Sequence, residues 1–174
     1  MTPIPTTRTA SAPGGERIPM DSVETFRALA AVMAVRQAEF AALGFCDLDL
    51  EVVVESDPAF AVLLRFRDYG CEVVEVAADE LPAADCRLEG GAEVWEEIRD
   101  DVVAHGGATG RRTLSSLVLV GGRLRLRSDD TMGADRFFRY AETMQRFFDG
   151  LAALRAEPDA GAATGPEVSS KGQT

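Results

Sequence analysis

The sequence predicts an α+β fold, a mostly antiparallel sheet of short strands covered by helices. Three observations lead there. From Asp47 to Phe66 apolar and polar residues alternate, the mark of half-buried strands. On either side of this region the apolar residues recur every three or four positions, as on amphipathic helices. Finally, Phe137, Tyr140, Ala141, Met144, Phe147, Phe148, Leu151 and Leu154 draw a broad aromatic stripe near the end of the chain. A stripe that wide must lie on a large apolar surface, and the upstream strands supply one.

Residues 1–20 are rich in Pro, Thr, Ala and Gly and cannot bury enough apolar surface to offset the entropy of ordering, so they read as a disordered tail. Asp21 opens a D-x-x-E capping box with Glu24, and Phe26, Leu29, Val32, Met33, Phe40 and Leu43 then mark one helix that stops at Gly44. Leu48, Leu50, Val52 and Val54 make a first strand. A Pro-containing turn leads to Phe60, Val62, Leu64 and Phe66 in a second. Asp68, Tyr69 and Gly70 turn the chain into a third, Cys71 to Val76, completing an antiparallel meander. Residues 77–84 read as a loop, Asp85 to Glu89 as a short strand ended by Gly90 and Gly91, and Val94, Trp95, Ile98 and Val102 as one face of an acidic helix closed by His105 and Gly106.

Leu114 to Val120 supports two readings. Followed by Gly121 and Gly122 and the alternating Arg-Leu run to Arg127, it makes a hairpin, which local propensity favours; with Gly121 as a stop, it makes a short helix. The closing helix is expected from Gly133 to Arg155, and residues 156–174 read as a second disordered tail. One domain over residues 21–155 remains.

Composition removes several classes of function. A formal net charge of -11 opposes binding to nucleic acid or to an anionic membrane by charge alone. No stretch reaches the roughly 18 uninterrupted apolar residues of a membrane span. The sole lysine, Lys171, lies in the trailing tail, which excludes Schiff-base and P-loop chemistry from the folded part. Cys46, Cys71 and Cys86 lack metal-site spacing and read as buried free thiols, which makes a reducing cytoplasm the default location.

No catalytic signature stands out, and neither a catalytic residue, a metal site nor a cofactor is assigned. His105, the single histidine, suits the C-terminal end of its helix as well as it suits a general base. Glu93 to Asp101 could gather a divalent cation, but their spacing follows the outer face of a helix. Asp129 and Asp130 suit either proton transfer at a pocket mouth or a cap on the closing helix. Arg111, Arg112, Arg123, Arg125 and Arg127 form a strip without acids, fit for an anionic head group or for protecting an edge strand.

Three passages carry a resemblance to a known family. Ala84 to Ile98, ADCRLEGGAEVWEEI, matches its strand, small turn residues and apolar helix; LSSLVLVGGRLRLRSDD matches its apolar helix, Gly, basic alternating strand and polar turn; Phe137 to Leu151 stands in the place of its C-terminal helix. With the meander, the chain over about residues 21–154 resembles the sterol carrier protein type 2 (SCP2-like) domain. Ser128 replaces a common Gly, and the closing helix is longer and more aromatic than usual. The resemblance implies a five-stranded sheet covered on one face by helices, makes Leu114 to Val120 helical, and implies an apolar space for lipid, sterol or acyl chains without metal or covalent cofactor.

Trp95, Leu117, Met132, Phe137, Tyr140, Met144 and Phe148 are the side chains suited to line that space; read as plain core, the same residues need no ligand. The leading function is a noncatalytic carrier or accessory for a hydrophobic or amphipathic small molecule. One rival is a cyclase or isomerase of specialised metabolism using Asp129, Asp130, Tyr69, Tyr140 or His105 as acid or base. The other is a dimerisation or partner-enzyme module without ligand.

Overall fold

The computed structural model describes residues 17–76 and 83–155. Residues 1–16 of the expected leading tail, residues 77–82 of the expected loop and the expected trailing tail lie outside the described residues. The elements are α1 (Val23–Val35), α2 (Gln37–Leu43), β1 (Cys46–Glu55), β2 (Phe60–Asp68), β3 (Gly70–Glu75), β4 (Cys86–Gly91), α3 (Ala92–His105), α4 (Leu114–Leu119), β5 (Arg125–Arg127), α5 (Thr131–Arg139), α6 (Ala141–Asp149) and α7 (Leu151–Leu154).

The five strands form one sheet in the order β3-β2-β1-β4-β5. The β1–β2, β2–β3 and β4–β5 pairs are antiparallel, while β1 and β4 run parallel, with Leu50 beside Cys86 and Val54 beside Gly90. Alternation along β1 sends Cys46, Leu48, Leu50, Val52 and Val54 to one face, each at most 1% exposed. Val62, Leu64, Phe66, Cys86 and Leu88 join them, and the helices lay Phe26, Leu29, Met33, Phe40, Trp95, Ile98, Val102, Phe147, Phe148 and Leu151 over the same layer. Met20 belongs to this core at 3% exposure, so the packed chain starts before Asp21: Thr25 Oγ1 donates to the Pro19 carbonyl at 2.6 Å and Arg99 Nη1 to the Ile18 carbonyl at 3.1 Å.

Several boundaries differ from the expectation, for physical reasons. Ser22 rather than Asp21 occupies the position before α1, with its hydroxyl donating to Glu24 at 2.8 Å instead of capping the backbone. The expected first helix kinks at Arg36 (φ -96°, ψ 23°). Gly90 and Gly91 extend β4 instead of ending it, because Gly90 passes beneath Leu124 and Trp95: a Cβ there would stand 2.5 Å from Leu124 Cδ2 and 3.3 Å from the indole nitrogen.

Leu114–Leu119 is helical, so the locally favoured hairpin is wrong and the reading implied by the resemblance is right. Thr113 accepts from the Ser116 amide and caps the helix, Leu114 and Leu117 are buried, and Gly121 and Gly122 reverse the chain at φ 90° and 57°. The closing segment is three helices rather than one. Asp130 starts it by accepting from the Met132 amide at 3.1 Å, and the backbone kinks at Tyr140 (φ -103°, ψ 15°). At Gly150 a Cβ would lie 3.0 Å from Leu29 Cδ2, so the glycine permits the close approach to α1.

The three thiols are free, with Cys46 and Cys86 buried. Burial pushes the Cys46 thiol up to about 12, helped by the Asp47 charge, and burial and Asp85 push Cys86 up to about 12. Burial also raises Cys71, beside Cys46 and Glu72. Thiolate is therefore scarce at neutral pH. Iodoacetamide at pH 7.5 should label less than one thiol per native molecule and all three in denaturant; rapid native labelling of Cys46 or Cys86 would contradict their placement.

Candidate functional site

The candidate site is the layer between the helical cover and the β4 side of the sheet. Trp95 projects from the first turn of α3 and is fully buried, its indole N–H donating to the Val53 carbonyl at 3.1 Å. Phe148 stacks on it with ring centroids 5.7 Å apart and meets Phe147 and Phe26 edge-on at 5.6 and 6.2 Å. Phe147 reaches Phe66 of β2 at 5.3 Å, tying α6 to the sheet. This geometry follows from spacing, since Met144, Phe147, Phe148 and Leu151 sit on one helical face and all are at most 1% exposed.

Of the residues expected to line a ligand space, Trp95, Phe137, Met144 and Phe148 lie in this interior, and Leu117 of α4 joins the same cluster. Tyr140 is half-buried at the kink and packs against the core. Met132 is 49% exposed on the first turn of α5 and stands apart. Over β1 and β2 the aromatic side chains fill the layer by stacking on one another, as a core does.

The cover is unevenly held. α6 buries Thr143, Met144, Phe147 and Phe148, whereas α5 buries only Gly133 and Phe137 and leaves Phe138 39% exposed. α5 packs on β4 and α6, where Asp85 is its point of attachment. Asp85 donates its amide to the Asp49 carbonyl and accepts the Asp49 amide on Oδ2, at 2.9 and 2.8 Å, which fixes it to β1. Its Oδ1 meets Arg136 Nη1 of α5 at 2.5 Å, and its carbonyl accepts from Ser128 Oγ at 2.7 Å. Gly133 lies so close to that carbonyl that a Cβ would overlap it. The roles of Asp85 and Arg136 were not foreseen from the sequence, and Ser128 and Gly133 were noted there only as the replacement of a common Gly and the start of the closing helix; the one local signal was a glycine at the start of an otherwise strong helix, which demands a packing reason.

The polar residues weighed as chemistry have structural partners. His105 Nδ1 lies 2.9 Å from the Asp101 carbonyl and 3.2 Å from its Oδ1. Asp130 caps α5, and Tyr69 packs against the core from the β2–β3 turn. The strand arginines are not a free basic strip: Arg123 pairs with Glu97 at 2.7 Å, Arg127 with Glu89 at 2.7 Å, and Arg125 with Glu55 and Glu89. Acids from three other elements, Glu55 of β1, Glu89 of β4 and Glu97 of α3, pair with them. Asp129, with charged Glu51, Arg87 and Arg127 and apolar Ala83, Ala84 and Cys86, lines a partly open cleft of about 420 Å³. Among the described residues, no group of three or more His, Cys, Asp and Glu side chains is arranged to hold a metal ion, and no helix is long and apolar enough to cross a membrane.

Asp101 is the exception within the acidic face of α3, being 5% exposed. Burial alone would raise its pKa, but the Thr109 amide and hydroxyl at 2.7 and 2.9 Å, with His105 and Arg112, outweigh burial and hold the carboxyl below the usual aspartate range. The folded pKa is depressed, so this stabilisation is complete above the unfolded value of about 3.8 and disappears as pH falls through the folded one. Asp101→Asn should cost about 2 kcal/mol at pH 7, with the gap to wild type closing below about pH 4. A gap that stays constant down to pH 2.5 in urea denaturation would refute the role of the charge.

Comparison with known proteins bears on the fold. No family model matches the chain, and no curated protein sequence matches it. Among solved structures, a conserved hypothetical protein of Thermus thermophilus, described as possibly a sterol carrier protein, superposes with a TM-score of 0.53 at 19% identity, covering 88% of this chain and 99% of that one. A crystal structure of sterol carrier protein 2 gives a TM-score of 0.52 at 21% identity, covering 73% of this chain and 92% of that one. Both likenesses extend over most of the chain, and with its five-stranded sheet and helices the chain has the SCP2-like α+β fold.

Proposed function

We propose that the protein is a noncatalytic carrier of a hydrophobic or amphipathic small molecule of lipid, acyl-chain, sterol or polyketide-like type, taken up beneath α5. The observation that carries this reading is the unequal cover: an aromatic layer on an SCP2-like sheet, roofed by a firmly packed α6 and by an α5 that buries one large side chain. The aromatic layer is filled by protein side chains, so a ligand gains room only when α5 swings out with Phe137. Leu117, Phe137, Tyr140 and Met144 would then face ligand carbon, and its desolvation would drive binding. The flexible thioether of Met144 suits a wall that must repack, and the Tyr140 hydroxyl supplies a polar tip for a head group. Three free thiols suit a reducing cytoplasm.

Native mass spectrometry of the freshly purified protein should reveal an adduct of lipid mass. Saturated fatty acids of increasing length should raise Tm as RT ln(1 + [L]/Kd) requires. No adduct and no shift across the series would overturn the carrier reading.

A further inference from the structure

We propose that α5 is a hinged cover latched by Asp85, and that the Asp85–Arg136 ion pair sets how often it opens; the link to ligand uptake rests on the carrier reading. The two ends of α5 are where movement is easiest. At Asp130 the backbone is extended (φ -117°, ψ 135°), and at Tyr140 it is kinked (φ -103°, ψ 15°). Between them the helix holds to the rest through Phe137, the contact of Gly133 with the Asp85 backbone, and Arg136. Arg136 is the charged tie among the described residues, and its partner is held in place because both the amide and the carboxylate of Asp85 are bonded to Asp49 in the central strand. Ser128 Oγ donates to the carbonyl of the same residue, so the hinge preceding α5 is pinned at the spot where the helix is latched.

The latch is built to yield before the cover as a whole does. Arg136 and Asp85 side chains are 45% and 27% exposed, so water and salt reach the pair. α6 is instead fixed by one edge-on and one stacked ring pair, Phe147 on Phe66 and Phe148 on Trp95, which salt does not weaken. Outward swing of α5 exposes Phe137 and the layer under it, while Phe147 and Phe148 stay on the sheet. Raising the ionic strength should therefore loosen α5 selectively.

Hydrogen exchange of the whole chain, read by mass spectrometry in wild type, Arg136→Gln and Arg136→Lys, tests the latch without a ligand. The α5 amides should exchange five- to tenfold faster in Arg136→Gln, with Arg136→Lys in between, while the amides of α6 keep their protection. Unchanged α5 exchange in Arg136→Gln overturns the latch, and equal loss of protection in α5 and α6 overturns the hinge. Stopped-flow loading of a fluorescent sixteen-carbon fatty acid tests the link to uptake. A rise in rate by the factor seen in exchange supports it. Faster exchange without any binding of the probe supports the latch and tells against the carrier reading alone.

Discussion

Trp95→Ala is expected to lower the unfolding free energy by about 4 kcal/mol, a large share of the roughly 5–15 kcal/mol available to a domain. The indole is completely buried, stacked on Phe148, and bonded through its N–H to the Val53 carbonyl. Alanine removes the ring, the stacking and that bond, and the cavity cannot collapse because Phe26, Phe147 and Phe148 are held by one another. Trp95→Phe separates the contributions. It keeps a ring but leaves the carbonyl without its indole donor, for an expected loss of about 1.5 kcal/mol. Urea denaturation followed by circular dichroism measures both. A loss below about 1 kcal/mol for Trp95→Ala would mean that the layer has slack, contrary to its packing.

Gly133→Val should have the second largest effect and a different character. A Cβ at this position overlaps the Asp85 carbonyl and meets Ser128 Oγ, and the obstacle is backbone held to β1, which cannot turn aside as a flexible side chain can. The helix must lift instead. We expect a loss of about 3 kcal/mol, together with a clear gain in binding of an apolar dye such as anilinonaphthalene sulfonate, as Phe137 leaves the core. Gly121→Ala is the natural contrast: no atom lies within 4 Å of its added carbon, and only the left-handed backbone (φ 90°) resists, at about 1 kcal/mol. If Gly133→Val were as mild as Gly121→Ala and gave no rise in dye binding, the tight seat of α5 on β4 would be refuted.

Local pattern and long-range contact divide what the sequence could reveal. Alternation in β1 and β2 gave their core-facing residues correctly because every second position is apolar, while the charged residues ahead of the turn at Asp68 fall on the other face, which Leu63 and Val53 share. The stripe on α1 was equally legible. Leu114 to Val120 misled because Val118, Val120 and two glycines resemble a hairpin, whereas the outcome depended on the Thr113 cap and on burial of Leu114 and Leu117. The Tyr140 kink left no trace in the spacing of the aromatic stripe, which runs through it unbroken. At the site, the interior positions of Trp95, Phe137, Met144 and Phe148 were readable from periodicity. Whether they wall a ligand or fill a core was not, since both need the same residues. The attachment of α5 was hidden for a plainer reason: Asp49, Asp85 and Arg136 are separated by 36 and 51 positions in sequence and meet only through the sheet.

The parallel union of β1 with β4 has a consequence for biogenesis. During synthesis, β1, β2 and β3 can close their meander early, but the other flank of β1 must wait for residues 86–91 to emerge. Over that interval a ten-residue strand of Val- and Leu-rich sequence presents bare peptide groups to the ribosome's surroundings. A chain cut short before Cys86 should therefore clump where the whole protein stays dispersed, and a chaperone that shields strand edges should matter most to the newly made molecule.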